Sequence, residues 1–245
     1  MHVLARFEGP NGEIRVLEDP STGARLYEEG GVSQSRVLPG GEADVAYVQL
    51  MATLLASSAC ALLLGCGGGA LATMLHRRSR RVTVVEVNPI SFQLARTFFW
   101  MPSGIECITA DVREFVCPRR RTFDAIGIDV GGPHFSYEDT LEPATIARVR
   151  RALRAGGRIA VNISLETPYD PVPGRIADRF AAEGLEVWAF TENPKTEELN
   201  VVILASARRE EPTALVAIAG ESWSLAQMTG HRGNTRRRQM ASAGG

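Results

Sequence analysis

The rhythm of apolar and polar positions changes near residue 40. Before that point, short apolar-rich runs at Val3–Phe7, Ile14–Leu17, Ala24–Tyr27 and Ser33–Leu38 are divided by Gly-Pro-Asn-Gly, Asp-Pro-Ser-Thr-Gly and Glu-Gly-Gly segments. Runs of this length between turn formers predict antiparallel strands, and residues 1–41 read as a small β-rich antechamber. A helix is expected over residues 42–56. Beyond it, aliphatic runs at Ala61–Leu64, Val82–Val87, Ile105–Thr109, Ala125–Asp129, Arg158–Ile163, Leu185–Phe190 and Asn200–Ala205 alternate with helical stretches near 69–79, 89–100, 111–117, 138–155 and 174–183. Seven strands interleaved with helices predict an α/β fold, a doubly wound and mostly parallel sheet spanning residues 42–208. Ala155-Gly156-Gly157 is expected to stop the 138–155 helix, and Pro173 to open the last one. After Arg208 the pattern weakens, and residues 209–245 read as a partly disordered C-terminal extension ending in a basic, Gly-rich tail.

Composition narrows the class of protein. The chain has 245 residues, 44% hydrophobic and 22% charged, enough to bury a full core. A formal net charge of -1 argues against a nucleic-acid partner, which a basic face would show in the total. Val45 to Leu64 is an uncharged stretch long enough to span a bilayer, but Ser57 and Ser58 divide it into a helix and a short strand, and a glycine loop follows at once. No membrane role is expected, and with no secretory signal a cytoplasmic setting follows. Cys60, Cys66, Cys107 and Cys117 form no C-x-x-C pair, so reduced thiols are expected and no metal.

The chemistry concentrates where the expected strands end. Leu62-Leu63-Leu64-Gly65-Cys66-Gly67-Gly68-Gly69-Ala70 is a buried strand entering a glycine turn and then a helix. Glycines there let the backbone bend tightly and approach a ligand. Gly65, Gly67 and Ala70 also satisfy the dinucleotide fingerprint. About twenty residues on, Glu86 ends the next strand, where a carboxylate accepts hydrogen bonds from ribose hydroxyls. Asp111 ends the third strand, suited to an adenine amino group or to capping a helix. Asp129 ends the fourth, at the edge of the crevice where open α/β sheets bind ligands, and can take the proton of an attacking nucleophile.

In this order the motifs resemble the spermidine synthase (aminopropyltransferase) family, a branch of the Rossmann-like S-adenosylmethionine-dependent methyltransferase superfamily. The resemblance covers roughly residues 13–206. It runs through Glu29-Gly30-Gly31-Val32-Ser33-Gln34, Tyr47 in Ala46-Tyr47-Val48-Gln49, the glycines Gly65, Gly67 and Gly69, then Glu86, Asp111 and Asp129, and Asn193-Pro194. It implies that Glu86 holds the ribose, Asp111 the adenine and Gln34 the cofactor tail, and that Asp129 is the proton acceptor beside Tyr47. It also implies a homodimer. The chain departs from the family in having Gly68 where an acid binds the aminopropyl ammonium, Gly132 in place of a second acid, and Gln49 in place of a Glu. Losing these anions weakens polyamine recognition and removes repulsion toward the carboxylate of intact S-adenosylmethionine. The expectation is therefore a methyltransferase on a small-molecule acceptor, an amine among the candidates. Aminopropyl transfer from decarboxylated S-adenosylmethionine is the near alternative. An NAD-dependent oxidoreductase would use the same glycine turn and Glu86, though it leaves Asp111, Asp129 and the antechamber unexplained. A non-catalytic binding protein is the third reading. His134 and Tyr137 are further candidates for lining the acceptor site.

Overall fold

The structure is a computed structural model that describes residues 1–56, 58–78, 81–115, 122–132, 135–165, 167, 169–192, 199–228 and 237–239. The N-terminal unit is an antiparallel meander of β1 (His2–Gly9), β2 (Gly12–Glu18), β3 (Arg25–Glu29), β4 (Val32–Leu38) and β5 (Glu42–Ala43). The four expected strands are present, and a fifth occupies the start of the expected 42–56 helix. Glu42 and Ala43 pair with Leu38 and Val37, so helix α1 begins only at Ala46 and ends at Leu54.

The larger sheet is built from β6 (Cys60–Leu64), β7 (Arg81–Glu86), β8 (Glu106–Thr109), β9 (Phe123–Ile128), β10 (Leu153–Leu165), β11 (Glu186–Glu192) and β12 (Leu199–Ser206). These are the seven expected strands. Two more, β13 (Trp223–Met228) and β14 (Arg237–Gln239), extend it in the order β14-β13-β11-β12-β10-β9-β6-β7-β8. Strands β8, β7, β6, β9 and β10 run parallel, and β12 turns antiparallel to both β10 and β11. The chain leaves β6 toward β7 on one side and later returns to β9 on the other, so the direction of winding reverses between β6 and β9. Such a switch point opens a crevice at the carboxyl ends of the strands.

Alternate residues of each strand point to opposite faces, and both faces are covered. Leu63, Val84, Ala160, Trp188, Phe190 and Leu204 bury one face under α1, α2 (Ala70–His76), α7 (Pro212–Ala219) and the meander. Leu64, Ile128, Ile159, Val161, Val187 and Ile203 bury the other under α5 (Pro143–Ala152) and α6 (Val172–Ala182). No helix among the described residues is long and apolar enough to cross a membrane.

Two expected helices are corrected. Residues 111–115 make a single turn, with Glu114 and Phe115 N–H groups donating to the Asp111 carbonyl. The 138–155 helix is two, α4 (Tyr137–Thr140) and α5, because Pro143 has no N–H to continue a helix and opens α5 instead. The chain is already extended from Leu153, ahead of the Gly156-Gly157 stop that the sequence offers. The stretch after Arg208, which reads as weakly patterned, is ordered by α7 and β13. Glu210 anchors it through a buried ion pair to Arg158 of β10, with a 2.7 Å hydrogen bond from Arg158 Nε and another from Ser206 Oγ at 2.7 Å.

Candidate active site

Three strand tips converge at the switch point. Leu64 is in register with Val85 on one side and Ile128 on the other. The ladders continue one residue further, Gly65 N–H donating to Val85 O at 2.9 Å and Asp129 N–H to Leu64 O at 2.9 Å. Gly65, with φ of 97°, lies so close to Asp129 that a side-chain carbon would drive into the Asp129 carbonyl oxygen. Only glycine satisfies both conditions there.

Glu86 then holds the glycine turn from the adjacent strand. Its Oε2 accepts the Cys66 N–H at 2.9 Å and its Oε1 the Asn88 N–H at 2.8 Å. Burial pushes its carboxyl above the usual value, against the pull of these backbone donors. Asn88 Oδ1 caps helix α3 (Pro89–Phe98) by accepting from Ile90 N–H, which leaves its Nδ2 buried with no partner. An orphaned donor beside a half-buried carboxylate is what a polar ligand such as a ribose would satisfy. Val87, between them, is 65% exposed.

The antechamber closes over the turn from the other side. Ser35 Oγ of β4 accepts the Gly68 N–H at 2.8 Å, and the backbone carbonyl of neighbouring Gln34 faces Gly67. Gly67 and Gly69 both have positive φ, and Gly69 is the N-cap of α2. A side-chain carbon at Gly68 would lie 2.9 Å from Val37 Cγ2 and 3.1 Å from Ser35 Cβ. The turn has no room for an acid at that position. Gln49 is likewise committed elsewhere, its Nε2 donating to Ala43 O at 2.9 Å.

Asp129 sits at the floor of a cleft that it shares with Ser35, Tyr47, Gly65, Cys66 and Ala70. Tyr47 Oη, from the first turn of α1, donates to its Oδ2 at 3.4 Å, and Asn162 Nδ2 of β10 to its Oδ1 at 3.2 Å. Burial raises the carboxyl from 3.8 to about 6, only partly offset by these donors. Tyr137 Oη accepts the Ser164 N–H at 3.0 Å, and burial pushes its own ionisation up to about 12, with the Asp129 charge contributing. His134 and Asn193-Pro194 lie outside the described residues.

Of the residues read from sequence, Tyr47, Gly65 and Asp129 line this cleft, Glu86 holds the turn beside it through the Cys66 N–H, Gly67 lies in that turn, and Gly69 opens the helix behind it. Gln34 meets the turn through its backbone. Asp111 is adjacent by strand order, since Ala110 N–H donates to Glu86 O at 3.1 Å, but its carboxylate is engaged by Arg113 at 2.7 Å and by the Arg113 N–H at 2.7 Å. Cys66 is half-buried in the wall of the cleft, and burial raises its thiol well above the ordinary value, the opposite of an activated nucleophile. Ser35, Asn88 and Asn162 were not singled out in the sequence. Asn162 carried a usable signal, a lone amide inside an otherwise apolar strand run.

Residues 61–157 match the family of methyltransferase domains. No curated protein matches the sequence. Among solved structures, a probable spermidine synthase from Corynebacterium glutamicum ATCC 13032 superposes with a TM-score of 0.74 at 19% identity, covering 91% of this chain and 89% of its own. A spermidine synthase from Thermotoga maritima gives 0.66 at 15% identity, covering 90% and 80%. The N-methyltransferase NodS from Bradyrhizobium japonicum WM9, in complex with S-adenosyl-L-homocysteine, gives 0.51 at 19% identity, covering 66% and 86%. The synthase matches take in the N-terminal meander as well as the nucleotide fold, whereas the NodS match covers only two thirds of the chain. The chain therefore shares the fold of these proteins, and within it residues 61–157 match methyltransferase domains.

Proposed function

We propose that this protein is an S-adenosylmethionine-dependent methyltransferase acting on a small-molecule acceptor, with Asp129 as proton acceptor. The observation that carries the reading is the adjacency of Asp129 to a glycine turn that Glu86 holds by its carboxylate. Glu86 and the Asn88 amide would hold the ribose, and the turn at Gly65–Gly69 would lie along the rest of the cofactor. When bound, the cofactor supplies a methyl group activated by a sulfonium. The chain's own residues supply alignment, exclusion of water and a base. Well-oriented reactants can gain on the order of 7–11 kcal/mol. A carboxyl titrating at about 6 is ionised at neutral pH and still basic enough to take a proton, close to the optimum for general base catalysis. Tyr47 orients it.

Aminopropyl transfer is the second reading, favoured by the meander closing on the turn through Ser35. Against it, the absence of space at Gly68 removes the acid that would pair with an aminopropyl ammonium. Isothermal titration with S-adenosylmethionine, its decarboxylated analogue and NAD tests the proposal. Tight binding of the first alone is expected, and binding of NAD alone would overturn it. Mass spectrometry of by-products, S-adenosylhomocysteine against methylthioadenosine, separates methyl from aminopropyl transfer.

A further inference from the structure

Strand β10 is apolar where it crosses the centre of the sheet, Ile159, Ala160, Val161 and Ile163 all being fully buried. Asn162 interrupts this run and is 6% exposed. Its alternation puts it on the meander side of the sheet, opposite Val161 and Ile163, at the level where β9 has just ended at Ile128. Its Nδ2 reaches Asp129 Oδ1 at 3.2 Å. Because a carboxylate only accepts, the nitrogen must face Asp129 and the amide oxygen must point away. That oxygen, Oδ1, is buried and has no partner. A buried amide oxygen without a donor destabilises the fold, so a native site that keeps one calls for a reason.

We infer that Asn162 is a positioning residue of this site: its nitrogen fixes the Asp129 carboxylate, and its oxygen receives a second hydrogen of the acceptor. This rests on the transferase reading above. Asp129 is faced by Tyr47 from α1, Asn162 from β10 and Tyr137 from α4, and Arg36 of β4 lines the same cleft with its guanidinium paired to Asp19 and Asp44. Among the described residues, Tyr47 and Asn162 are the side chains that hydrogen-bond the carboxylate and so favour its charged form. The arrangement also discriminates among acceptors. A nucleophile that gives one hydrogen to Asp129 and one to Asn162 carries two, which selects a nitrogen with at least two N–H bonds over a hydroxyl or thiol.

The test uses the full chain, labelled with carboxyl-13C aspartate, and follows the Asp129 resonance, assigned by its absence in Asp129→Asn, from pH 4 to 9. The midpoint near 6 should rise by about one pH unit in Asn162→Leu, which removes the donor. It should rise in the near-isosteric Asn162→Asp as well, where two carboxyls share a proton, and that variant decides the matter if the leucine variant does not fold. An unchanged midpoint overturns the positioning role, because a merely structural residue would not move it. Binding of n-butylammonium and n-butyltrimethylammonium, which share a charge and differ in N–H groups, tests the oxygen. The first should bind more tightly to the wild type, and this preference should shrink about fivefold in Asn162→Leu, where the Asp129 carboxylate alone still accepts an N–H. An equal preference in both proteins overturns it. Neither titration depends on the cofactor: failure of S-adenosylmethionine to bind would sink the transferase reading and leave the Asn162–Asp129 result standing.

Discussion

Replacing Asp129 with Asn should stabilise the fold while abolishing turnover. The carboxyl titrates at about 6 in the folded chain against 3.8 as an ordinary Asp, and the leading cause is burial. A raised carboxyl pKa means that the folded state prefers the protonated form. The stability it permits is fully present below about pH 4 and is lost as pH rises through about 6. At neutral pH the native state holds an ionised carboxylate in a poorly solvating cleft. A shift of roughly 2 units at about 1.36 kcal/mol each amounts to about 3 kcal/mol, an upper figure because the cleft admits some solvent. Asparagine is nearly isosteric, is never ionised, and its Oδ1 still accepts from Asn162 Nδ2. The variant should gain almost nothing at pH 3, about half the effect at pH 5, and up to about 3 kcal/mol at pH 7. For a chain of this size that is roughly 10 °C in Tm. Thermal or denaturant unfolding of both proteins across pH 3–8 measures it. A gain that does not vary with pH, or a loss at pH 7, would refute the argument that Asp129 is ionised at the expense of the fold.

The same titration should shape the rate. With Asp129 as base, kcat should fall as pH drops through about 6, and the variant should lose this limb together with its activity; a pH-independent rate between 5 and 8 would exclude the role. Glu86→Gln replaces a charged acceptor of two backbone donors, and each charge-assisted bond is worth about 1.5–3 kcal/mol, so S-adenosylmethionine should bind about 10- to 100-fold more weakly by calorimetry. Glu210→Ala strands the buried Arg158 guanidinium and should cost about 3–5 kcal/mol in denaturant unfolding. The arginine beside Glu210 depresses its carboxyl from 4.5 to about 2, so the stability it gives the wild type is present above 4.5 and should fade as pH falls toward 2.

What the sequence made legible is local. The seven strands could be read because buried parallel strands are short aliphatic runs between turn formers, and the glycine turn because its residues are consecutive. Glu86 and Asp129 followed from a rule about strand ends, which places a carboxylate at the crevice without knowing its neighbours. The rest depends on contacts between residues far apart in the chain. Ser35 meets Gly68 across 33 positions, and Asn162 meets Asp129 across the same number. No periodicity reports such pairs. The expected 111–117 helix fails for a different reason: Asp111 favours a cap as readily as a turn, and its side chain bonds the Arg113 N–H two residues on, closing a turn. Strand β13 was missed although Trp223 and Leu225 alternate correctly, because six residues give too few positions to distinguish alternation from chance.

The departures from the synthase pattern are structurally consistent with one another, which determines how the site can be altered. The acid expected at position 68 is absent, and the space it would need is filled by Val37, Ser35 and Phe99. Ser35 uses its hydroxyl to bond the very N–H that position 68 presents. Gln49, standing where a carboxylate is expected, donates to Ala43 O in β5, a bond that a carboxylate could not make. Gly68→Asp should therefore not restore affinity for decarboxylated S-adenosylmethionine. Overpacking of this kind costs about 1–3 kcal/mol, and a carboxylate forced among Val37 and Phe99 adds desolvation to it. The single variant should unfold at lower temperature and bind both cofactors more weakly. Combined with Val37→Ala and Phe99→Leu, which vacate the space, it should recover the lost stability in part, and only then can its charge be read in a binding experiment. Full stability and a gain in affinity for the decarboxylated cofactor from Gly68→Asp alone would mean that β4 moves freely over the turn, contrary to the packing described.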